Sequence, residues 1–529
     1  MTKVLVCSEF SQIGSGYAVH TNELLKALTG AGIECAELAS YCRPDDDRIN
    51  NCRWKVYPVI PSNNDDRGNE LYNAHPGNVF GKHLFERVLL DYRPTHVVDV
   101  RDIWNLAHLF TSPFRDFYSL LVMPAVDSNQ NKIWLDMYGQ ADGILTYSEW
   151  ARELLEGYGI KNQFGTVQPI PAEAFRPLKN KEEIKKSLNL GDIEIIGFVA
   201  RNQPRKLFPQ LMKMFRKYLD ETGKNNTYLY LHTTYPDIWD LDSLLLEYNV
   251  GHKVLFTYQC FQCGVVESSF FKGPFTRCPR CSDYRSLRLL NTMNPISQDV
   301  LNQIYNLFDL YIQYTVCEGY GIPVIEAVAA SIPTMVVNYS AMESFVKEVN
   351  SIPIKVKDFH IEAESTRKFA IPDEDDAVAK LKTFFETNKQ ERDRQAAITR
   401  LSYQINNSES VLQTWANAIN STKAKLPWDA PRREFNSPKD YPRNYSPQMF
   451  ARWLITDVLQ DLSYVGSYME ARLVRDLTNG AAPIGHDGLY YFEAMNIHNQ
   501  KYQPFSEEIA FNLFKERMLN EKITSEAYR

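Results

Sequence analysis

The apolar positions of this chain fall into short runs separated by stretches of helical period. Residues 3–10, "KVLVCSEF", form a compact apolar run, followed by a glycine-containing loop, "SQIGSGY". The next stretch, "AVHTNELLKALTGAG", repeats its apolar residues at helical spacing and stops at Gly30 and Gly32. "IECAELA" then reads as another strand. The chain therefore opens as strand, loop, helix and strand, with glycines where the first strand turns into the first helix. The alternation continues through "THVVDV", "SLLVMPAV" and "ADGILTYS", the last followed by an amphipathic helix, "EWARELLEGYG". Residues 1–175 are predicted to form one parallel α/β domain.

"PIPAEAFRPLKNKEE" has prolines, charges and no period, and reads as a linker. A second alternating unit begins at the buried strand "IEIIGFVA", followed by the loop "RNQPRK" and the helix "LFPQLMKMFRKYL". Strands are predicted at "TYLYLHTT", "KVLFTY", "DLYIQYT" and "IPTMVVN", with helices at "QDVLNQIYNLF" and "PVIEAVAA". Residues 190–385 thus form a second doubly wound domain, and 386–422 a run of terminal helices. Residues 423–447 are rich in proline, arginine and asparagine; beyond them, 446–529 read as a C-terminal extension with two or three helical segments.

Composition narrows the class without choosing a function. The 529 residues suggest three or so domains, and 44% apolar with 23% charged residues is ordinary for a globular protein. A net charge of −7 gives no whole-molecule pull toward nucleic acid or anionic membrane, although a local basic patch stays open. The opening residues lack the apolar core of a signal peptide, and no run of 18 apolar residues occurs, so neither a leader nor a transmembrane helix is expected. The nine cysteines point to a reducing, cytoplasmic setting. Four of them, Cys260, Cys263, Cys278 and Cys281, follow the pattern C-x2-C-x14-C-x2-C. Four thiolates at that spacing make a tetrahedral Zn²⁺ site, structural because no coordination position is left open. The cluster interrupts the second domain as an inserted ribbon over 258–290.

Three loops should face a cleft between the domains, because open α/β sheets bind ligands beyond their C-terminal strand ends. In "ARNQPRK", Arg201 and Lys206 follow a buried strand and suit a diphosphate; the plainer reading is a solvated turn. In "CEGYGIPVIEA", Glu318 and Glu326 stand on either side of a tight turn, with Pro323 near the first turn of a helix and Glu326 in or near it. Glu326 would then either complement the helix dipole or accept hydrogen bonds from sugar hydroxyls beside a phosphate held at the helix N-terminus.

The order of these elements resembles the retaining glycosyltransferases of the two-Rossmann (GT-B) architecture, of the large family-4, or group 1, type. The resemblance covers about residues 1–420 and rests on "IGSGYAVHTNELLKAL", "ADGILTYSEWARELL", "VQPIPAEAFRP", "GFVARNQPRK" and the glutamate–seven residues–glutamate motif within "QIYNLFDLYIQYTVCEGYGIPVIEAVAASIPTMVVNYSAMESFV". It implies two Rossmann-like domains facing a cleft, with the zinc ribbon inserted and a helical C-terminal extension. It implies that Glu318 bonds hydroxyls of the donor sugar and Glu326 the ribose hydroxyls. Arg201 and Lys206 would stabilise the departing diphosphate, with no catalytic metal needed. Backbone amides at Gly14, Ser15 and Gly16, and around Tyr320, Gly321 and Ile322, would meet the ligands. Many relatives carry a histidine where this chain reads "LLVMPAVDSN"; Asp127 takes that place, as acceptor-orienting group, base or loop cap. His20 and His75 read as structural or solvent-exposed.

The donor expected is a nucleotide sugar, with a UDP-sugar favoured. The ribbon carries Lys272, Arg277, Arg280, Arg285 and Arg288 among Phe261, Phe270, Phe271, Phe275 and Tyr284. These are either a nucleic-acid surface or a small core with a solvated face. Sequences of this type with a zinc ribbon are similar to members encoded by bacterial viruses, which act in a host cytoplasm. The expected acceptor is accordingly a hydroxymethylated pyrimidine in DNA, approached through the ribbon and a basic stretch with Arg432, Arg433, Lys439 and Arg443. A lipid-linked or cell-surface glycan is the alternative acceptor, with "KHLFERVLLDYR" as the nearest membrane-docking helix. A catalytically silent binding protein with the ribbon as docking module is the alternative of another class.

Overall fold

The computed structural model describes residues 2–428 except 113, 169–172, 292–294 and 364, together with scattered positions beyond; side chains at 67, 402 and 404–412 are outside the description. The extension 446–529 and the basic stretch with Arg432, Arg433, Lys439 and Arg443 lie outside the described residues, apart from a few isolated positions of the extension.

The apolar runs of the first half become seven strands: β1 Lys3–Glu9, β2 Glu34–Ser40, β3 Lys55–Pro58, β4 His96–Asp99, β5 Ser119–Val122, β6 Gly143–Thr146 and β7 Gln163–Thr166. All neighbours pair in parallel, in the order β3-β2-β1-β4-β5-β6-β7. Val4, Leu5, Val6 and Cys7 of β1 are all buried, because helices cover both faces of a parallel sheet. The helix Phe85–Tyr92 turns Phe85, Val88, Leu89, Leu90 and Tyr92 into this core, so its apolar face is already occupied.

The second half repeats the plan. Its strands are β8 Glu194–Val199, β9 Thr227–His232, β10 Val254–Cys260, β11 Val266–Phe270, β12 Phe275–Thr276, β13 Leu287–Leu289, β14 Leu310–Gln313, β15 Thr334–Val337 and β16 Ile352–Ile354. The order is β12-β13-β10-β9-β8-β14-β15-β16, with β11 added to β10. The core from β10 to β16 is parallel, and the ribbon strands β11, β12 and β13 are antiparallel. The cysteine-bearing insertion is therefore woven into the second sheet. β10 pairs with β9 through Val254–Phe256 on one flank and with β11 through Leu255–Gln259 on the other.

In both sheets the order reverses beside the first strand, at β1/β4 and at β8/β14. Those switch points are where the three candidate loops emerge. Beyond β16, a separate hairpin of β17 Val356–Ile361 and β18 Lys368–Pro372 projects from the second half. Two terminal helices follow, Glu374–Glu386 and Lys389–Ser421. The longer one returns to the first sheet. The His96 ring approaches the Thr422 carbonyl at 3.1 Å, and the Trp428 indole donates to the Pro94 carbonyl at 2.8 Å. Among the described residues no helix is long and apolar enough to cross a membrane.

Candidate active site and four-cysteine cluster

The glycine loop after β1 ends in a helix cap. The Ser15 hydroxyl accepts from the Ala18 N–H at 3.2 Å, which satisfies one free donor of the helix Gly16–Gly30. Gly14 and Gly16 are exposed. A side chain on Gly16 would touch Ile322 of the other half at 3.4 Å, so the loop faces the start of the helix Ile322–Ala329. The buried Glu37 carboxylate anchors the loop's base by accepting from the Ser11 N–H at 2.7 Å, the Ser11 hydroxyl at 2.8 Å and the Trp54 indole at 2.8 Å.

Glu318 lies across the cleft, buried just after β14. Lys206 donates to its Oε1, Gln313 donates to the same oxygen at 2.6 Å, and Arg205 Nη1 donates to Oε2 at 2.6 Å. Burial alone would raise the Glu318 carboxyl. Arg205 and Lys206 together outweigh burial and hold it well below the ordinary carboxylate range. Burial pushes the Lys206 ammonium down, the Arg205 charge adds to that, and Glu318 opposes both. The Glu318 N–H donates to the Ser340 hydroxyl at 2.9 Å, and Ser340 holds a left-handed φ of 58° to present it.

Arg201 does not join this group. Its side chain is 52% exposed, and its Nε lies 3.3 Å from Asp237. Arg205, 40% exposed and four residues on, occupies the place beside Lys206 and Glu318. The same seven-residue stretch contains both arginines, and the short 3-10 turn Pro204–Lys206 brings Arg205, not Arg201, to Glu318.

Glu326 sits in the second turn of its helix, not the first. The helix begins at Ile322, with Pro323 within its first two positions, and Glu326 is buried. Among the described residues its one side-chain partner is the Tyr305 hydroxyl, which donates at 2.7 Å. Burial pushes its carboxyl up to about 7 against that hydrogen bond. Two glycines make the turn possible. Gly321 caps the helix at φ 104°, a conformation that side chains disfavour. A Cβ on Gly319 would sit 2.6 Å from Ala125 Cβ, so the two halves meet closely here. The Tyr320 ring is buried against Phe345, and its hydroxyl meets that of Tyr403 on the long terminal helix at 3.1 Å. Only the backbone of Tyr320 is therefore free to serve a ligand.

Asp127 is placed at the contact between the halves. Arg367, immediately before β18, donates to its two oxygens at 2.6 and 2.7 Å and to the Ser128 hydroxyl at 2.9 Å. Asn129 bonds the Thr366 carbonyl at 2.9 Å and the Lys368 N–H at 2.7 Å. Nothing in the local sequence announces Arg367, because the hairpin has no apolar period. Asp102 also lies at this crest, its Oδ1 accepting from the Tyr17 hydroxyl at 2.8 Å. Its position after a strand end is the signal that sequence reading left unused. His20 is buried with its ring centroid 5.3 Å from that of Tyr147, edge to face, and His75 caps a turn by accepting from the Gly77 N–H at 2.8 Å.

The four cysteines converge at the far end of β10. All four sulfurs lie within 4.8 Å of one another, with Cys260–Cys281 at 3.6 Å and Cys263–Cys278 at 3.7 Å. A disulfide needs about 2 Å. Tetrahedral Zn–S bonds of about 2.3 Å place their sulfurs about 3.8 Å apart, so the donor set fits Zn²⁺. The Cys263 N–H donates to Cys260 Sγ at 3.4 Å, which favours the thiolate. The ribbon's aromatics divide. Phe270 and Phe271 pack inward beside Tyr228 and Phe256. Phe261, Phe275 and Tyr284 are exposed, Tyr284 by 75%. Arg288 lies over Phe261 at 5.3 Å, and Arg285 over Phe275 at 4.6 Å. Lys272 is tied to Glu267 at 2.5 Å, and Arg277 to the Ser282 carbonyl at 2.9 Å.

No protein-family model matches the sequence, and no curated protein matches it. Solved structures do match. Sucrose-phosphate synthase from Thermosynechococcus elongatus aligns with a TM-score of 0.55 at 14% identity, over 80% of this chain and 99% of that one. A glycosyltransferase from Rickettsia africae aligns with a TM-score of 0.54 at 12% identity, over 79% and 98%. Anabaena HepE, solved in complex with UDP and glucose, aligns with a TM-score of 0.55 at 10% identity, over 80% and 100%. At these identities the likeness establishes the fold: two parallel α/β sheets in the GT-B manner, with the four-cysteine insertion and terminal helices added.

Proposed function

We propose that this chain transfers a sugar from a nucleotide-sugar donor to an acceptor hydroxyl with retention at the anomeric carbon. The observation that carries the reading is the buried Glu318, held by Lys206 and Arg205 at the switch point of the second sheet, with Glu326 eight residues on. Two cations fixed there suit a diphosphate whose charge grows as the sugar departs. Glu318 then exchanges part of its ammonium contact for donor-sugar hydroxyls, and Glu326 accepts from the ribose. Arg201, exposed and close by, adds a third cation to the diphosphate. The amides of Gly14, Ser15 and Gly16 approach from the first half, those of Gly321 and Ile322 from the second. Asp127 borders the acceptor side. A UDP-sugar is the donor we favour, because the similarly folded HepE was solved with UDP and glucose.

Zinc belongs to the ribbon. Purified protein is expected to carry about one zinc ion per chain, absent from Cys278→Ser, with a lower Tm once the ion is removed. Metal analysis beside thermal unfolding checks this; wild type without zinc would remove the ion from the account.

For the acceptor we favour a hydroxymethylated pyrimidine in DNA. The support is the exposed ribbon face, where arginines lie over aromatic rings; such surfaces pair phosphate contacts with base stacking. The test offers UDP- and GDP-sugars with hydroxymethylcytosine, hydroxymethyluracil and plain DNA, read by mass spectrometry. A sugar-sized gain on the modified nucleoside alone is expected. Donor hydrolysis without a DNA product would keep glycosyl transfer and redirect the search to glycan acceptors. Donor binding without turnover on any acceptor would favour a silent binding protein.

A further inference from the structure

Two carboxylates at the crest of the first sheet face the Glu318 loop, and they are not equivalent. Asp127 is heavily committed: Arg367 donates to both oxygens at 2.6 and 2.7 Å, the Ser128 hydroxyl reaches Oδ1 at 3.0 Å, and the Cys317 thiol lies 3.4 Å from Oδ2. Its partners come from both halves, so it works as a clasp.

Asp102 is different. It stands three residues beyond β4, the strand beside β1 where the order reverses. Its loop is rigid, because buried Arg101 bonds Asp99, the Ser40 hydroxyl at 3.0 Å and the Phe80 carbonyl at 2.8 Å. The Tyr17 hydroxyl engages Oδ1 at 2.8 Å and orients the carboxylate; among the described residues Oδ2 receives no hydrogen bond. The side chain is half-buried. The ionisable groups around it are Tyr17, Tyr138, Tyr147, Asp127, Arg205 and Arg367.

We propose that Asp102 is the catalytic residue on the acceptor side, its open oxygen receiving first the hydrogen bond and then the proton of the acceptor hydroxyl. This rests on the glycosyl-transfer reading. In the step, the acceptor oxygen bonds to the anomeric carbon on the face from which the diphosphate leaves, which keeps the configuration. The bond from that carbon to the diphosphate breaks, and its electron pair leaves with the diphosphate beside Lys206 and Arg205. The hydroxyl proton passes to Asp102. Burial pushes this carboxyl up to about 6, the Tyr17 hydrogen bond opposes, Asp127 adds to burial, and Arg205 and Arg367 oppose. A base poised there is ionised at neutral pH yet basic enough to take a proton.

The test uses UDP-glucose and GDP-glucose as donors, with water and added methanol as acceptors, over about pH 5 to pH 8. Wild-type turnover should fall on the acid side with a midpoint near 6. Asp102→Asn should lose that acid limb and about 100-fold in turnover, with donor Kd by calorimetry unchanged. Tyr17→Phe should lower turnover, because the carboxylate loses its orienting contact, and should move the limb to higher pH, because the lost hydrogen bond favoured the anion. Asp102→Asn with the wild-type rate and limb would overturn the proposal. So would loss of donor affinity, or a bound donor that neither acceptor turns over. If wild type bound neither nucleotide sugar, glycosyl transfer itself would fall.

Discussion

Lys206→Ala is expected to lower sugar transfer about 100- to 1000-fold, the usual cost of removing one fixed charge from where charge develops. The ammonium is buried and aimed, so its position requires no reorganisation during the reaction. Lys206→Arg keeps the charge but replaces a compact head with a planar fork, and only part of the rate should return. Stability should fall as well, by about 3 kcal/mol, since a buried carboxylate loses a partner while Arg205 and Gln313 remain. The pH dependence has a definite sign. Glu318 is held below its unfolded value of 4.5, so its pairing stabilises the fold above that value and is lost as pH falls through and below it. The variant should therefore lose less stability than wild type on acidification. Steady-state rates and thermal melts at neutral and acid pH measure both. Comparison with Arg201→Ala and Arg205→Ala separates the exposed cation from the one that holds Glu318. A Lys206→Ala enzyme with wild-type turnover would remove the diphosphate clamp from the mechanism.

Glu326→Gln is expected to act in opposite directions on stability and on donor affinity. In the folded protein the carboxyl is raised from the ordinary 4.5 to about 7. Between those values the folded chain holds a proton that the unfolded chain has released, so stability declines as pH rises through this window. The full decline is about 3 kcal/mol. Glutamine keeps the Tyr305 hydrogen bond without a buried charge, so the variant should melt higher than wild type at about pH 8 and alike at about pH 4. Donor affinity should drop about 100-fold, because charge-assisted bonds to two hydroxyls are lost. On the proposed reading, the stability lost to this carboxylate is offset when the ribose binds. If calorimetry found wild-type donor affinity in Glu326→Gln, the ribose role would be wrong.

The parallel cores were legible because each strand is a run of buried residues with little alternation, as in "IEIIGFVA" and "KVLVCSEF". Short or edge elements escaped. β3, β7 and β16 carry too few apolar residues to stand out, and "KDFHI" of β17 is mostly exposed. Glu318, Glu326 and Lys206 were visible because motif spacing survives without tertiary information. The contact of Arg205 with Glu318 was not visible, since it depends on one turn of backbone. The Asp127–Arg367 contact joins residues 240 positions apart, and no local pattern encodes it. The cysteine spacing predicted the cluster; that its strands extend the second sheet was unreadable, because strand partners are chosen across the fold.

Woven into the second sheet, the ribbon also acts on the molecule in solution. β11 covers the flank of β10 that faces away from β9, and the turn joining them is held by Cys260 and Cys263. An uncovered flank of that kind is an open row of hydrogen-bonding groups that invites another chain to pair. The four-cysteine turn thus also keeps that flank of β10 covered. If zinc fills the cluster as proposed, its removal should free β11 and let β10 pair edge to edge with another chain, at temperatures where both α/β halves are still folded.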